Sequence, residues 1–192
     1  MTQRTLAIML ALLLAGCVSH SGPEGNQDFH HVSRLTELEG VYKNKGDPGG
    51  FLSQVIWDTG ANTPPVVHYQ EVEFIEVAST ENSLTAKAIQ NGCVIYEKSY
   101  VLGRDFEIED GKISIHRDVS LLTRGAGDVL VGPSYEKITL GLDAGKNGKF
   151  RDSGYAAGLA FLFLPIAVAD TRDVRFERVA DKPQGYKACE NR

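Results

Sequence analysis

The sequence predicts an all-β fold, a single antiparallel meander closing as a barrel or sandwich of about eight to ten strands. Three observations carry this expectation. Asn91-Gly92, Asp110-Gly111 and Asn147-Gly148 each separate two apolar-containing runs, and such pairs supply the two positive-φ residues of a tight type I′ turn. Along those runs apolar residues alternate with polar ones, as Phe106 and Ile108 do with acids and Ile113 and Ile115 with polar neighbours; that is the period of a half-buried strand. Helical periodicity is nearly absent, with only Ser33–Glu39 suited to a turn of helix. A sheet with one apolar face must close on itself or pair with another.

The chain opens on a different kind of segment. Residues 1–16 hold one basic residue (Arg4), no acid, and an apolar run from Leu6 to Leu14. This is the pattern of a secretory signal, and its run falls far short of the roughly 20 residues a helical span requires. We expect it to be removed. The run ends in Leu14-Ala15-Gly16-Cys17, which resembles a bacterial lipobox. The resemblance implies that Cys17 is diacylated on sulfur and acylated again on its amine. Each buried CH2 contributes about 0.8 kcal/mol, so several chains hold a domain at a membrane where one would not. No Asp follows Cys17, since Val18 and Ser19 come next; the resemblance then implies an outer-membrane lipoprotein facing the periplasm.

Residues 17–33 are polar, contain Gly and Pro, and read as a flexible tether. His20, His30 and His31 fall there and read as solvated side chains. The β domain is expected over residues 34–192. Its strands are read at 38–44, 51–57, 66–77 (with a slip of phase at Ile75/Val77), 84–90, 93–102, 105–109, 112–118, 129–131, 135–142 and 173–179. One stretch breaks the alternation: Gly154 to Ala169 carries no charge and includes Phe161, Leu162, Phe163, Leu164 and Pro165. It is too short for a helical span, and Pro165 opposes a straight helix. A fully buried strand or hairpin is expected there, with a surface for a membrane or partner as the alternative.

The formal net charge is −5, and residues 1–16 hold one of the 20 Lys and Arg and none of the 25 Asp and Glu. Removing them leaves a more acidic domain, which argues against nucleic acid, because phosphate neutralisation needs clustered Lys and Arg. With Cys17 committed to lipid, Cys93 and Cys189 remain as an even pair. In an oxidising compartment they are expected to form a disulfide. Two thiols alone make a poor metal site, and we expect no metal or cofactor.

Asp58-Thr59-Gly60-Ala61, preceded by Val55-Ile56-Trp57, resembles the active-site loop of retropepsin-type aspartic proteases. That resemblance implies a dimer whose two carboxylates share one proton, with Leu130-Val131-Gly132 as the later apolar-apolar-Gly element. The following Asn62-Thr63-Pro64-Pro65 departs from the family's pattern, because two prolines block a strand ladder. Taken by itself, Asp-Thr-Gly is turn chemistry at a strand end.

Other strings lack their context. Asp143-Ala144-Gly145-Lys146-Asn147-Gly148 has Gly where a calcium loop needs ligands. Gly125-Ala126-Gly127 lacks the third glycine of a dinucleotide turn. His68 and His116 stand isolated. Gly40-Val41-Tyr42-Lys43-Asn44 with Ile56-Trp57 is similar to an opening found in some small bacterial envelope lipoproteins and implies no activity.

The expected protein is thus a lipid-anchored envelope protein without catalytic machinery, serving an interaction or assembly role with an envelope protein partner. The alternative is a carrier of a small apolar ligand, a lipocalin-like barrel with Phe106, Ile108, Ile113 and Ile115 lining its lumen. A less favoured alternative is the protease acting through Asp58.

Overall fold

The computed structural model describes residues 17–57, 68–116, 130–131, 134–160 and 164–189. Residues 1–16, expected to be a signal, the Asp58-Thr59-Gly60 string, residues 117–118 and residues 125–127 lie outside them. Described strands are β1 (Cys17–Ser21), β2 (Phe29–His30), β3 (Gly40–Lys43), β4 (Phe74–Ser79), β5 (Ser83–Gln90), β6 (Cys93–Val101), β7 (Glu107–Glu109), β8 (Lys112–His116), β9 (Leu130–Val131), β10 (Ser134–Asp143), β11 (Gly148–Ala160), β12 (Leu164–Phe176) and β13 (Arg178–Ala180). One helix, α1 (Leu52–Trp57), and two 3-10 turns, Leu35–Leu38 and Tyr69–Glu71, complete the described elements.

The fold is mostly β and has two sheets. One runs β1-β12-β11-β10-β8-β7, with β2 beside β10 and β9 beside β11; the other runs β13-β3-β4-β5-β6. Among the described residues neither order returns on itself, so these strands form no closed barrel. The meander expectation holds for β4-β5-β6, β7-β8 and β10-β11-β12, which are neighbours in both sequence and sheet. It fails at β1, which pairs parallel to β12, Cys17 opposite Val168 through Ser21 opposite Arg172. A parallel pair needs a long connection, and here most of the chain lies between the two strands.

The chain divides into two compact units. The first comprises Met1–Ser21, His116–Ile138 and Arg151–Arg172; the second comprises Gly22–Ile115, Thr139–Phe150 and Asp173–Arg192. Within the first, β1 lies along β12, and Leu159 and Ala160 of β11 face Val131 and Leu130 of β9. Full burial is not found at the described ends of the uncharged stretch, where Tyr155 is 50% and Val168 38% exposed.

In the second unit, alternation along β5 places Leu84, Ala86 and Ala88 in the core. Its opposite face carries Lys87 in register with Glu76 and Glu97, 3.6 and 3.9 Å from their carboxylates. Tyr42 pairs with Ile75 across β3 and β4, and Ile75, Ile89 and Trp57 are almost wholly buried. Burying a side chain of that size contributes about 1.5–3 kcal/mol.

Asn91-Gly92 (φ 52° and 75°) and Asp110-Gly111 (φ 49° and 73°) adopt the positive angles read from the sequence. The third turn is different. There Lys146 takes the positive φ of 66°, and the Asp143 carboxylate accepts the Asn147 N–H at 2.9 Å. Gly148 is needed for proximity instead, since a Cβ there would lie 3.2 Å from the Tyr42 ring.

Two expected strands are corrected. The run from Phe51 to Trp57 is helix α1 rather than strand. Its Val55-Ile56 pair favours strand locally, but Asn44 fixes the other choice, because its side-chain oxygen accepts the Ser53 N–H at 2.8 Å at the first turn of the helix. The strand read over 66–77 begins only at Phe74. Asn44 Nδ2 donates to Tyr69 O (2.7 Å) and Val72 O (2.9 Å), which holds the preceding residues in a turn. The Gly-x-Tyr-x-Asn opening is therefore a buried corner: Asn44 is wholly buried and all its side-chain bonds go to backbone.

Residues 17–33, read as a tether, carry β1 and β2. Phe29 and His30 pair with Asp143 and Leu142, and Val32 is buried. At the other end of the chain, Cys93 and Cys189 are disulfide-bonded, with Cα atoms 5.0 Å apart. Val94 N–H donates to Lys187 O and Cys189 N–H to Val94 O, while Gln184 N–H and Gly185 N–H donate to the buried Glu76 carboxylate. The tail thereby covers the start of β6, an edge strand that would otherwise offer unpaired backbone groups.

Candidate functional site

The second unit encloses a partly open cavity of about 250 Å³. Its walls come from both sheets. Tyr42, Val77, Leu84 and Ala86 form one side; Phe106, Ile113, Leu140, Leu142 and Phe176 form the other; Leu52 and Ile56 of α1 complete it. Leu52 and Ile56 stand four residues apart, so one turn of helix turns both the same way. The close contact of Gly148 with Tyr42 lets β11 join the wall without filling it.

The polar groups in the lining are already committed. Tyr42 donates its hydroxyl to Leu38 O at 2.8 Å and Tyr100 to Ile56 O at 3.1 Å. Burial pushes the Tyr42 phenol up to about 12 and raises Tyr100 as well, so both stay neutral donors across ordinary pH. Lys149 is bound on every side: its ammonium lies 3.0 Å from Asp173 Oδ2, 2.7 Å from Asn26 Oδ1, and donates to Gln27 O. The Phe29 ring centroid lies 5.2 Å from the same ammonium. What remains for an occupant is hydrocarbon surface.

One edge of the cavity is charged. Lys98 and Asp105 are exposed lining residues, and Lys98 Nζ lies 4.9 Å from the Tyr100 ring centroid. The hydrogen bond from Arg104, with one from the Val101 N–H, holds the Asp105 carboxyl below its ordinary range. Asp105 thus closes the 101–105 turn beside the opening.

Of the residues expected to line a lumen, Phe106 and Ile113 do so. Ile108 instead lies outside this cavity at 36% exposure, beside Val32 and Leu38, and the side chain of Ile115 lies outside the described part. The sequence reading missed Tyr42, Tyr100, Leu52 and Ile56; the i, i+4 spacing of the last two was the available signal.

Elsewhere, His30 sits 3.6 Å from Glu37 and His31 Nδ1 3.2 Å from Asp110 O. Among the described residues no three His, Cys, Asp or Glu side chains gather as a metal site. Asp143 spends its carboxylate on the Asn147 backbone. No helix among the described residues is long and apolar enough to cross a membrane. No protein-family model, curated protein or solved structure matches the chain.

Proposed function

We propose that this is a lipid-anchored protein of the bacterial cell envelope, without catalytic machinery, whose domain holds a small apolar molecule. The cavity carries this reading: about 250 Å³ lined mainly by Leu, Ile, Val, Ala and Phe, with its phenols and the Lys149 ammonium already bonded within the protein and Lys98 and Asp105 at one edge. An apolar cavity of about 150 Å³ already accepts benzene, and drug-sized sites begin near about 300 Å³. The occupant is therefore a small hydrocarbon-rich molecule or one segment of an acyl chain. The domain acts as a sandwich rather than a lipocalin-like barrel, with residues of both sheets facing the occupant. The anchor rests on Leu14-Ala15-Gly16-Cys17, and the outer membrane on the absence of Asp after Cys17.

The test is to extract protein purified from envelopes with organic solvent, identify what is released, and titrate the emptied protein with N-phenyl-1-naphthylamine. A stoichiometric apolar compound and a saturable rise in fluorescence are expected. Ala86→Phe projects into the cavity and should abolish the rise while the protein still unfolds cooperatively. A protein that releases nothing and leaves the probe dark defeats the ligand reading.

A further inference from the structure

In the first unit the site of the expected lipid and the uncharged stretch share one edge. Cys17 is in register with Val168 of β12, and the two strands run parallel. Residues 164–167 therefore extend beyond Cys17, on the side away from Ser21. The adjacent strand β11 accompanies them. From Gly154 to Ala160 on β11 and from Leu164 to Ala169 on β12 there is no charged residue; the flanking charges are Asp152 and Asp170. At the described ends of this surface Tyr155 and Val168 are exposed at 50% and 38%, and Val18, beside Cys17, is 81% exposed.

We propose that this end of the β11–β12 pair is a membrane-contacting surface that dips into the leaflet holding the Cys17 acyl chains. The inference rests on the lipid anchor proposed above and adds a second, protein-borne contact to it. Acyl chains on Cys17 start level with Val168, so the bilayer that receives them meets whatever lies beyond that level, and beyond it lies uncharged strand. At about 3.3 Å per residue, the four β12 residues 164–167 beyond that level reach about 13 Å. That is near the depth of one leaflet, half of a core about 30 Å thick, and too little to span. Backbone pairing suits a shallow position: β11 is paired with β9 at Leu159 and Ala160 and neighbours β12 in the sheet. On the outer edge Pro165 brings no N–H to be left unsatisfied. Tyr155 supplies the kind of ring favoured at the boundary between headgroups and hydrocarbon.

The experiment places an environment-sensitive nitrobenzoxadiazole label on Tyr155→Cys, Val168→Cys or, as a control in the second unit, the 44% exposed Val179→Cys. All three replace exposed residues, and Cys93 and Cys189 are bonded to each other. Full-length protein from a Gram-negative host is reconstituted in phosphatidylethanolamine–phosphatidylglycerol vesicles brominated on the acyl chains. Labels at 155 and 168 should shift to the blue and lose at least half of their emission to bromine, while the label at 179 stays as in water. If all three behave as in water on vesicles carrying protein acylated at Cys17, the surface proposal is overturned and the anchor stands. Mass spectrometry of the Cys17 peptide separates the two ideas. A bare Cys17 takes the label in all three variants, so there quenching at 155 and 168 in excess of that at 179 supports the surface and removes the anchor; a bare Cys17 with no such excess removes both.

Discussion

Lys149 Nζ lies 3.0 Å from Asp173 Oδ2, and neither side chain is more than 2% exposed. Asn26 bridges them, its Nδ2 donating to Asp173 at 2.7 Å and its Oδ1 accepting from Lys149 at 2.7 Å. The pair thus joins β11 and β12 to the segment that precedes β2. Removing one member of a buried pair leaves an uncompensated charge and costs about 3–5 kcal/mol. Asp173→Asn and Lys149→Met should each lose about that much in urea unfolding. The double change Lys149→Met with Asp173→Leu should lose clearly less than the sum, because no lone charge is left behind.

Asn44 is the polar hub of the corner between β3 and α1. Replacement by Ala strands the Ser53 N–H and leaves the buried Val72 carbonyl and the part-buried Tyr69 carbonyl without their donor. Unsatisfied buried groups cost about 1–3 kcal/mol each. Asn44→Ala should lower stability by about 3 kcal/mol or more, measured by thermal unfolding, and the naphthylamine probe should bind less tightly because α1 walls the cavity.

Two turn glycines with nearly equal angles make a controlled comparison. Gly92 (φ 75°) has open space where a Cβ would go, whereas at Gly111 (φ 73°) a Cβ would meet the His31 ring at 2.4 Å and Val32 N at 2.7 Å. The left-handed backbone alone costs an L-residue about 1–2 kcal/mol. Gly92→Ala should lose only that. Gly111→Ala should lose substantially more, with early amide exchange at Val32, whose N–H donates to Gly111 O.

Tyr42 sets an alkaline limit. Its folded phenol is pushed up to about 12 by burial, against about 10 when unfolded. Below about pH 10 both states keep the proton and the stability is fully present. Between about 10 and 12 the unfolded state has lost the proton and the folded state has not, so stability falls by at most about 1.4 kcal/mol per pH unit for this group. Tyr42→Phe should be less stable at pH 8, having lost the bond to Leu38 O, and should show a shallower decline above pH 10 in a urea series.

Local chemistry made much of the fold legible. Asn91-Gly92 and Asp110-Gly111 adopt positive φ as their own chemistry predicts, even though Val32 N–H donates to Gly111 O. At Asn147-Gly148 a more distant residue, Asp143, took the Asn147 amide and moved the positive angle to Lys146. The α1 helix was hidden for a similar reason: six residues cannot form a helix from propensity, and the side chain that starts this one lies at Asn44, outside the run. Of the cavity, Phe106 and Ile113 were readable from alternation, while Tyr42 and Tyr100 were not. A tyrosine on a strand looks the same whether its hydroxyl faces water or is spent on a backbone carbonyl. The parallel partner of β1 lies some 150 positions away and leaves no mark on Cys17–Ser21 themselves.

The Cys93–Cys189 link has a consequence for how the tail meets proteases. Lys187 is an exposed cleavage point on the tail and Cys189 lies beyond it, whereas Lys182 precedes Pro183 and its bond resists trypsin. A trypsin cut at Lys187 severs the peptide but not the molecule, since the clipped piece stays tied through sulfur to β6. Nicked protein keeps every residue until a reductant is added, and only then sheds the fragment that carries Cys189.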